Sequence, residues 1–510
     1  TLWTTMMMNH QEAAPPLLSF EEILQWPKVE LHAHLNGCIR EATLLELAEE
    51  RGVTLSSHHF ATSSTTSTTT TTTTTSSVLN QSHNMYNVAP RSLQDCFQVF
   101  DDIGRVVTDL PALRRITEEA LYEFAAHHVA YLELRTTPKA LLEEQRRRNN
   151  GDDNDDNDPN NNSTMTTTTT TGSNRMAGKR RYLETVLEVM REFQRNEQRR
   201  YETELESYRS RNNNNNDDDD GGSNGHDDNN PNPHIRLPMT CCLIVAMDRG
   251  RSLEEAKENV ELAIDMMMKK ENGNDDNDDD KNDGNEESMI VGMDLGGNPV
   301  RQDFRLFQPL LERARQAGLR ITLHCAEIPC ANEATTTTTA AAAANNGNTD
   351  VNAADNTADN QDDHLHRRRQ ELEALLQFRP DRLGHALLLP PDLIQQMLQQ
   401  HSQGMTVIPI ESCPTSNVMT LELATGQTGG NLVQALRDSH PTLWQWIHAP
   451  PNNNNDSNKL FPLAICTDDP GVFDTTLTQE LVLTQHALRL PASRLQELVY
   501  QSLEYAFCSE

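Results

Sequence analysis

The chain has 510 residues, of which 36% are hydrophobic, and it carries a formal net charge of −33 at pH 7. This charge disfavours nucleic-acid polymers and anionic membranes as partners, although most of it lies in Asp-rich tracts, so a phosphate-bearing small molecule is not excluded. No apolar run approaches the roughly 20 residues that cross a bilayer, and the nine cysteines suggest neither a disulfide framework nor a Cys-x-x-Cys site. We therefore expect a cytoplasmic protein.

Six low-complexity tracts, rich in Thr, Asn and Asp, cannot bury enough apolar surface to fold alone and are predicted to be surface-loop insertions. They lie near residues 61–77, 149–174, 212–230, 271–287, 331–363 and 451–458. Without them, on the order of 390 residues of ordinary apolar content remain, which is enough for one large domain. We predict an N-terminal extension over residues 1–26 and a single domain over residues 27–510.

Short apolar runs alternate with longer amphipathic runs along the rest of the chain. Strands are predicted at residues 29–37, 129–135, 239–247, 289–294, 319–324, 382–385, 405–411 and 463–467. Helices are predicted at 41–51, 93–107, 113–128, 182–208, 253–270, 304–318, 371–378, 393–403, 477–488 and 492–507, with further helical turns near 432–435 and 443–447. This alternation predicts an α/β protein, a parallel (β/α)₈ TIM barrel with long low-complexity loop insertions. A doubly wound open sheet is the alternative, weakened because no Gly-x-Gly-x-x-Gly follows the first strand.

Polar side chains fall at or just after the carboxyl ends of the predicted strands. They are His32 and His34, Asp248, Asp294 with Gly297, His324 with Glu327, His385, Glu411 with Ser412, and Asp468 with Asp469. Each residue alone has an ordinary structural explanation, such as a buried core histidine or a helix cap. Together they predict one concave site, because barrels of this class carry their active sites at that end. Three imidazoles and a carboxylate would hold a divalent zinc with room for water, and the other groups would move protons.

Five ordered motifs resemble the adenosine/AMP deaminase family of zinc-dependent barrels. They are Val29-Glu-Leu-His-Ala-His-Leu-Asn-Gly37, His324-Cys-Ala-Glu327, Arg382-Leu-Gly-His385, Ser412-Cys-Pro-Thr-Ser-Asn417 and Cys466-Thr-Asp-Asp-Pro470. The match runs from about Pro27 to the C-terminus and is interrupted only by the tracts. Asn36 and the segments 131–138, 245–249 and 415–418 are similar to the subgroup that deaminates N6-methyl-AMP.

The resemblance implies a role for each matching residue. It implies one Zn²⁺ per chain, with the ligands His32, His34, His324 and Asp468. Glu327 would protonate the purine N1, His385 would orient and help deprotonate the attacking water, and Asp469 would hydrogen-bond the ring. The other implied substrate contacts are His34, Asn36, Thr136, Thr137, Pro138, Lys139, Asp248 and Gly297.

The implied reaction is hydrolytic removal of the amine from purine C6, which converts N6-methyl-AMP to IMP and methylamine. Deamination of adenosine or adenine on the same scaffold is the nearest alternative. A different metallohydrolase and a non-catalytic barrel whose insertions bind partners remain further alternatives. We expect a monomer that binds a small purine nucleotide or nucleoside, and neither a nucleic-acid polymer nor a membrane.

Three positions depart from the family pattern. Asn298 stands where Asp is usual, Gly104 stands where the subgroup often has His, and Lys139 stands where Arg is common. A lysine cannot make the bidentate contact with phosphate that an arginine makes. These departures leave the metal ligands intact and bear on how the phosphate is recognised.

Overall fold

Eight parallel strands follow one another in chain order in the computed structural model of the chain. They are β1 (Lys28–His34), β2 (Val129–Thr136), β3 (Thr240–Asp248), β4 (Ile290–Gly296), β5 (Arg320–Cys325), β6 (Arg382–His385), β7 (Ile410–Ser412) and β8 (Leu463–Ile465). The structure describes residues 16–56, 92–141, 172–214, 235–268, 288–329, 358–424, 430–450 and 459–508. The sequential strand order confirms the predicted (β/α)₈ barrel and rules out the doubly wound sheet.

Backbone hydrogen bonds join the end of β1 to the residues after β8 and so close the barrel. Ala33 and Asp468 form a parallel bridge. The Asp468 N–H donates to the His32 carbonyl oxygen at 2.8 Å, and the His34 N–H donates to the Asp468 carbonyl oxygen, also at 2.8 Å. Closure therefore brings an aspartate next to two histidines through the main chain alone.

Helices lie before β1, in every connection between the strands and after β8. They are α1 (Phe20–Leu24), α2 (Glu41–Arg51), α3 (Leu93–Val106), α4 (Leu110–Ala126), α5 (Gly172–Asn214), α6 (Leu253–Met268), α7 (Phe304–Gln316), α8 (Ala358–Phe378), α9 (Pro391–Ser402), α10 (Pro414–Thr420), α11 (Leu432–Ser439), α12 (Leu443–Ile447), α13 (Pro470–Phe473), α14 (Leu477–Leu488) and α15 (Ala492–Gln501). In α4, the Asp109 side chain caps the first turn, and Leu113, Ile116 and Leu121 form a buried stripe. This combination of a polar cap and helical apolar spacing explains why the segment is a helix.

Two helices extend into tracts whose composition predicted loop insertions. α5 runs from Gly172 to Asn214, and α8 begins at Ala358 rather than at Glu371. Residues 172–174, 212–214 and 358–363 are therefore helical, so the prediction of loops there was wrong, whereas the insertions themselves stay a prediction. Buried Leu372 and Leu375 anchor the later part of α8. A packed helix lengthens at little cost, because each added residue gains a hydrogen bond without a new nucleus.

β7 is shorter than its apolar run predicted. It begins at Ile410, whereas the predicted strand began at Met405. Pro409 has no N–H to donate, and Met405 is 50% exposed, so the first part of the run neither pairs nor packs fully. The short strand brings the Glu411 side chain to a fixed level inside the barrel.

Only part of the predicted N-terminal extension and of the six tracts belongs to the described residues. Residues 16–26 of the predicted extension include α1, whose Ile23 is buried, and the Leu18 N–H donates to Gln485 Oε1 of α14 at 3.0 Å. Residues 1–15 and the rest of the six predicted tracts lie outside the described residues. Within the described ranges, no helix combines the length and the apolar character needed to cross a membrane.

Candidate metal centre and active-site cavity

Four side chains with metal-binding atoms converge at the carboxyl end of the barrel. His32 and His34 are two residues apart in β1. Because successive side chains of a strand point to opposite faces, these two point to the same side. The Nε2 atom of His34 lies 3.2 Å from the Nε2 atoms of His32 and His324. Asp468 Oδ1 lies 3.4 Å from Nε2 of both His32 and His34. The ligand atoms of these four residues all lie within 4.8 Å of one another, so one ion can contact all of them.

Buried carboxylates fix the tautomers of two of these histidines. His32 Nδ1 lies 2.8 Å from Glu411 Oε2, and His324 Nδ1 lies 3.1 Å from Asp294 Oδ1. Because an ionised carboxylate only accepts hydrogen bonds, each Nδ1 carries the proton and each Nε2 presents a lone pair to the centre. Converging lone pairs repel unless a cation lies between them. Three imidazoles and one carboxylate are also a donor set that suits zinc and leaves a position for water.

The protonation states of the cluster suit metal binding. Burial, aided by the neighbouring His324 and His32, lowers the pKa of His34 well below its usual value against the opposing effect of Asp468. Burial disfavours an ionised Asp468, but the neighbouring His32, His385 and His34 hold the pKa of Asp468 well below its usual range. The imidazole is therefore neutral and the carboxylate ionised, which are the forms that bind metal ions.

Glu411 connects the metal centre to a buried ionic network inside the barrel. Its Oε2 accepts from His32 Nδ1 and pairs with Arg135, while its Oε1 accepts from Thr322 Oγ1 at 3.0 Å and from Arg382 Nε at 2.5 Å. Burial disfavours the charge on Glu411, yet Arg135 and Arg382 hold its pKa well below the usual range. Glu411 is therefore an ionised acceptor that orients the His32 ring.

No role was predicted for Glu133, Arg135 or Arg382 from the sequence. Arg382 pairs with both Glu411 and Glu133, and all of these side chains are almost completely buried. Glu133 and Arg135 are two residues apart in an otherwise apolar strand, so they face the same side. Because buried charges need partners, that pattern was the available signal for an internal ionic network.

His385 and Glu327 lie beside the metal centre. His385 Nδ1 lies 2.9 Å from Asn417 Oδ1 and so carries its proton there, which leaves Nε2 without one. This Nε2 lies 3.8 Å from Glu327 Oε1 and 3.9 Å from Asp468 Oδ2. Ser416 Oγ donates to Asp468 Oδ2 at 2.7 Å. His385 and Asp468 both have left-handed backbone conformations, with φ of 60° and 65°, a strain that is often found at functional sites.

A cavity of about 1100 Å³ opens at this end of the barrel. Most candidate site residues from the sequence contribute to its wall. These are His34, Asn36, Thr136, Thr137, Pro138, Lys139, Asp248, Asp294, Gly297, His324, Glu327, His385, Asp468 and Asp469. The exceptions are His32, which is 0% exposed, and the pair Glu411 and Ser412. The structure therefore brings the predicted site together in one place.

Two glycines allow close approach of aspartates to the cavity wall. A Cβ at Gly37 would lie 1.7 Å from Asp469 Oδ1, and a Cβ at Gly297, where φ is +83°, would lie 2.2 Å from Asp248 Oδ1. Only glycine fits at either position. Burial and the neighbouring Asp468 raise the pKa of Asp469 well above its usual value, so its carboxyl group can be a neutral hydrogen-bond donor.

Cationic side chains also contribute to the cavity wall. Lys139, Arg251 and Arg301 line it, and the two arginines were not among the predicted site residues. Burial and the nearby charge of Arg251 lower the pKa of Lys139, although Asp248 opposes the shift. Lys139 and Arg301 form no ion pair with any residue that the structure describes. Within the described part of the chain, Arg251 has only a distant ion-pair partner, Asp248 Oδ2 at 3.7 Å.

The three departures from the family pattern lie in different places relative to the cavity. Lys139 and Asn298 line it. Gly104 is not among the lining residues, although Phe97 and Gln98 of the same helix are. Two of the three positions can therefore contact a ligand in this cavity.

Comparisons with known proteins agree on one family and one fold. A sequence model described as adenosine deaminase matches residues 27–188. An N6-mAMP deaminase from Arabidopsis thaliana is 26% identical over 493 residues, covering 96% of this chain and 95% of that protein. The N6-methyl-AMP deaminase of Homo sapiens is 26% identical over 511 residues, covering 99% of this chain and 94% of that protein.

Solved structures match the barrel over nearly its full length. A crystal structure of an Arabidopsis N6-mAMP deaminase is 25% identical, with a TM-score of 0.55, and covers 96% of both chains. The structure of an ADAL–IMP complex is also 25% identical with a TM-score of 0.55, and covers 96% of this chain and 95% of that chain.

Proposed function

Since the chain carries an adenosine deaminase family domain, we propose that it hydrolyses N6-substituted purine nucleotides and converts N6-methyl-AMP and water to IMP and methylamine. Relatives named N6-methyl-AMP deaminases match almost the whole chain. The observation that carries the proposal is that one cavity is lined both by potential metal ligands and by the cations Lys139, Arg251 and Arg301. Such a cavity can hold a purine ring next to the metal ligands and a phosphate next to the cations.

We propose zinc as the resident ion, one per chain, held by His32, His34, His324 and Asp468. The close approach of their ligand atoms and the neutral state of His34 support this assignment. A bound zinc lowers the pKa of a coordinated water toward neutrality and so supplies a nucleophile at neutral pH.

Two residues beside that centre transfer the protons. Glu327, in its protonated form, donates to the purine N1, which draws electron density from C6 and makes that carbon open to attack. His385 accepts a proton from the attacking water at Nε2, since its Nδ1 proton is held by Asn417. The amine leaves from C6 with a proton, and the ring retains the oxygen. His385 Nε2 and Glu327 Oε1 lie 3.8 Å apart, and this proximity supports a division of proton transfer between them.

Substrate orientation depends on residues that approach the cavity closely. A neutral Asp469 donates a hydrogen bond to a ring nitrogen, and its position next to Gly37 keeps it from turning away. Gly297 allows the backbone after β4 to approach the ligand without a Cβ. Asn36, Thr136 and Thr137 offer hydrogen-bonding groups on the same wall, where Pro138 gives an apolar contact. Asp248 offers a carboxylate to ribose hydroxyls.

Selection for a nucleotide rather than a nucleoside depends on the cationic part of the wall. Lys139 meets phosphate as a point charge, and Arg251 and Arg301 offer guanidinium groups whose planar forks match phosphate oxygens. Lys139 and Arg301 lack ion-pair partners among the described residues, so a phosphate would not have to displace any carboxylate that the structure describes.

A four-substrate comparison tests the proposal. The zinc-loaded protein is supplied with N6-methyl-AMP, AMP, N6-methyladenosine and adenosine, and the ultraviolet change of deamination gives kcat/KM for each. We expect the highest value for N6-methyl-AMP and a loss when either the phosphate or the N6-methyl group is removed. Turnover of adenosine without turnover of either nucleotide would instead assign the chain to the nucleoside reaction. A monomeric state and a cytoplasmic location stay predictions from the sequence.

A further inference from the structure

Two loops at the carboxyl end of the barrel carry the arginines of the cavity wall. Arg251 lies in the loop after β3 and Arg301 in the loop after β4, and both side chains line the cavity. The Arg251 side chain is 59% exposed, so burial does not fix its position. An exposed side chain binds a ligand more tightly when the backbone that carries it is already fixed, because less ordering is left to the binding step. The contacts that hold these two loops therefore bear on how the cavity binds a phosphate.

The side chain of Gln302 joins the two loops. Its Nε2 donates to the carbonyl oxygen of Arg249 at 2.9 Å and to that of Arg251 at 2.6 Å. In the opposite direction, Arg249 Nη1 donates to the carbonyl oxygen of Gln302 at 3.3 Å. Gln302 follows Arg301 directly in the sequence. One residue therefore holds the backbone beside both cavity arginines.

An ion pair with little exposure to solvent anchors this junction to two helices. Arg249 is 4% exposed, and its Nη1 lies 2.5 Å from Glu371 Oε1 of α8. The same Glu371 oxygen accepts from the Phe304 N–H at 2.7 Å, at the start of α7. Breaking such a pair leaves a buried charge without its partner, which is costly. The junction of the two loops is therefore anchored to α7 and α8.

Each loop also contains a turn that its own side chain closes. Asp248 Oδ1 accepts from the N–H two residues later at 2.7 Å, just before Arg251. Asn298 Oδ1 accepts from the N–H two residues later at 3.1 Å, just before Arg301. Turns of this kind have a defined backbone shape. Gln302 therefore connects two turns that are already formed, which leaves the direction of the two arginine side chains as the main freedom.

We propose that Gln302 is a positioning residue for nucleotide binding, which holds Arg251 and Arg301 in place for a phosphate and so strengthens the preference for a nucleotide over a nucleoside. Neither Gln302 nor Arg249 is among the residues that line the cavity, so both act through the backbone of the arginines. Lys139 follows β2 and keeps its place when Gln302 is changed, so phosphate binding weakens without being lost. This inference rests on the proposed function, because it assumes a phosphate at the cationic part of the wall.

Binding of IMP and inosine, which differ only in the phosphate, tests the proposal without relying on turnover. Calorimetry of the zinc-loaded protein gives a dissociation constant for each. We expect wild type to bind IMP more tightly than inosine. Gln302→Met removes the donor at similar side-chain length, and it should weaken IMP binding about tenfold while inosine binding stays unchanged. Gln302→Ala removes the same donor and should give the same result.

Gln308→Met is the matched control. Gln308 lies in α7, donates to Glu312 Oε1 at 2.8 Å on the helix surface, and is not among the residues that line the cavity. This variant makes the same chemical change in the same helix without touching the two loops. It should bind IMP and inosine as wild type does.

Deamination kinetics give the second readout. With N6-methyl-AMP, Gln302→Met should raise KM about tenfold and leave kcat unchanged, because nucleotide affinity falls while the reacting groups stay in place. Equal losses for IMP and inosine, or wild-type IMP binding in both Gln302 variants, would overturn the proposal, as would equal binding of IMP and inosine by wild type. A Gln302-dependent preference for IMP in a protein that deaminates nothing would support the positioning role and refute the proposed reaction. Deamination of N6-methyl-AMP with an unchanged preference in both variants would refute the positioning role alone.

Discussion

Replacing Glu411 with Gln tests whether the buried carboxylate beneath the metal centre orients the His32 ring. Glu411 is 0% exposed, accepts from His32 Nδ1 at 2.8 Å and pairs with Arg135 and Arg382. Burial disfavours its ionised form, yet the two guanidinium groups hold its pKa well below the usual range. The substitution therefore removes a full negative charge from between two buried cations and a histidine.

The structure sets the size of the expected effects. Removing one partner of a buried ion pair costs about 3–5 kcal/mol. Arg382 retains Glu133, and Arg135 retains Asp294, whose Oδ1 lies 3.6 Å from Nη1. We therefore expect the lower end, a loss of about 3 kcal/mol in the free energy of unfolding. Loss of a group that orients a metal ligand lowers metal affinity about 10- to 100-fold. Because the Gln oxygen can still accept from His32, we expect about tenfold.

Glu133→Gln is the matched control for this prediction. Glu133 pairs with Arg382 and accepts from Tyr131 and the Phe507 N–H, but it is not a hydrogen-bond partner of His32. Chemical denaturation of the metal-free proteins should give similar losses of stability for both variants. Zinc affinity, measured by competition with a chromophoric chelator, should fall only in Glu411→Gln. Wild-type affinity in Glu411→Gln, or an equal loss in Glu133→Gln, would refute a role of Glu411 in orienting the ligand.

Three further predictions concern proton transfer, phosphate recognition and pH. Glu327→Gln should keep the wild-type metal content in elemental analysis and lose about 10²–10⁴-fold in kcat, because a proton donor is removed; loss of the metal would contradict that role. Lys139→Met should lower kcat/KM for the nucleotide at least about tenfold and spare the nucleoside, since a hydrogen bond to a charged group contributes about 1.5–3 kcal/mol; equal losses on both substrates would contradict the phosphate contact. Burial raises the pKa of Glu480 from 4.5 to about 7, against hydrogen bonds from Thr415 and Thr475, so its contribution to stability is present below pH 4.5 and is lost as pH rises through 7. Denaturation curves of wild type should therefore lose about 3 kcal/mol more than those of Glu480→Gln between pH 4.5 and 7.5, and parallel pH profiles would disprove this.

The parts of the site that the sequence predicted are those where a local pattern determines geometry. His32 and His34 share a face because strand side chains alternate, and that relation needs no tertiary information. The carboxyl ends of parallel strands meet at one end of a barrel, so the topology alone predicted that His324 and Asp468 would join them. The order and register of the strands in the structure confirm the barrel on which that inference rests.

The parts that the sequence did not predict depend on contacts between distant segments. Glu411 lies between Arg135 of β2 and Arg382 of β6, and no local pattern relates those strands to β7. Arg251 and Arg301 lie in loops after β3 and β4, where side-chain direction depends on loop conformation rather than on periodicity. The sequence did not predict the start of α8, because the low-complexity composition there indicated a loop. The helix packs through its later residues.

Product analysis of a single substrate tests the central claim most directly. The metal-stripped protein and the zinc-reconstituted protein are each incubated with N6-methyl-AMP, and nucleotide products and released amine are quantified together. Hydrolysis at purine C6 predicts one IMP and one methylamine for each N6-methyl-AMP consumed, in the zinc-reconstituted protein only. Release of phosphate or free base in place of methylamine, or equal turnover without the metal, would contradict it.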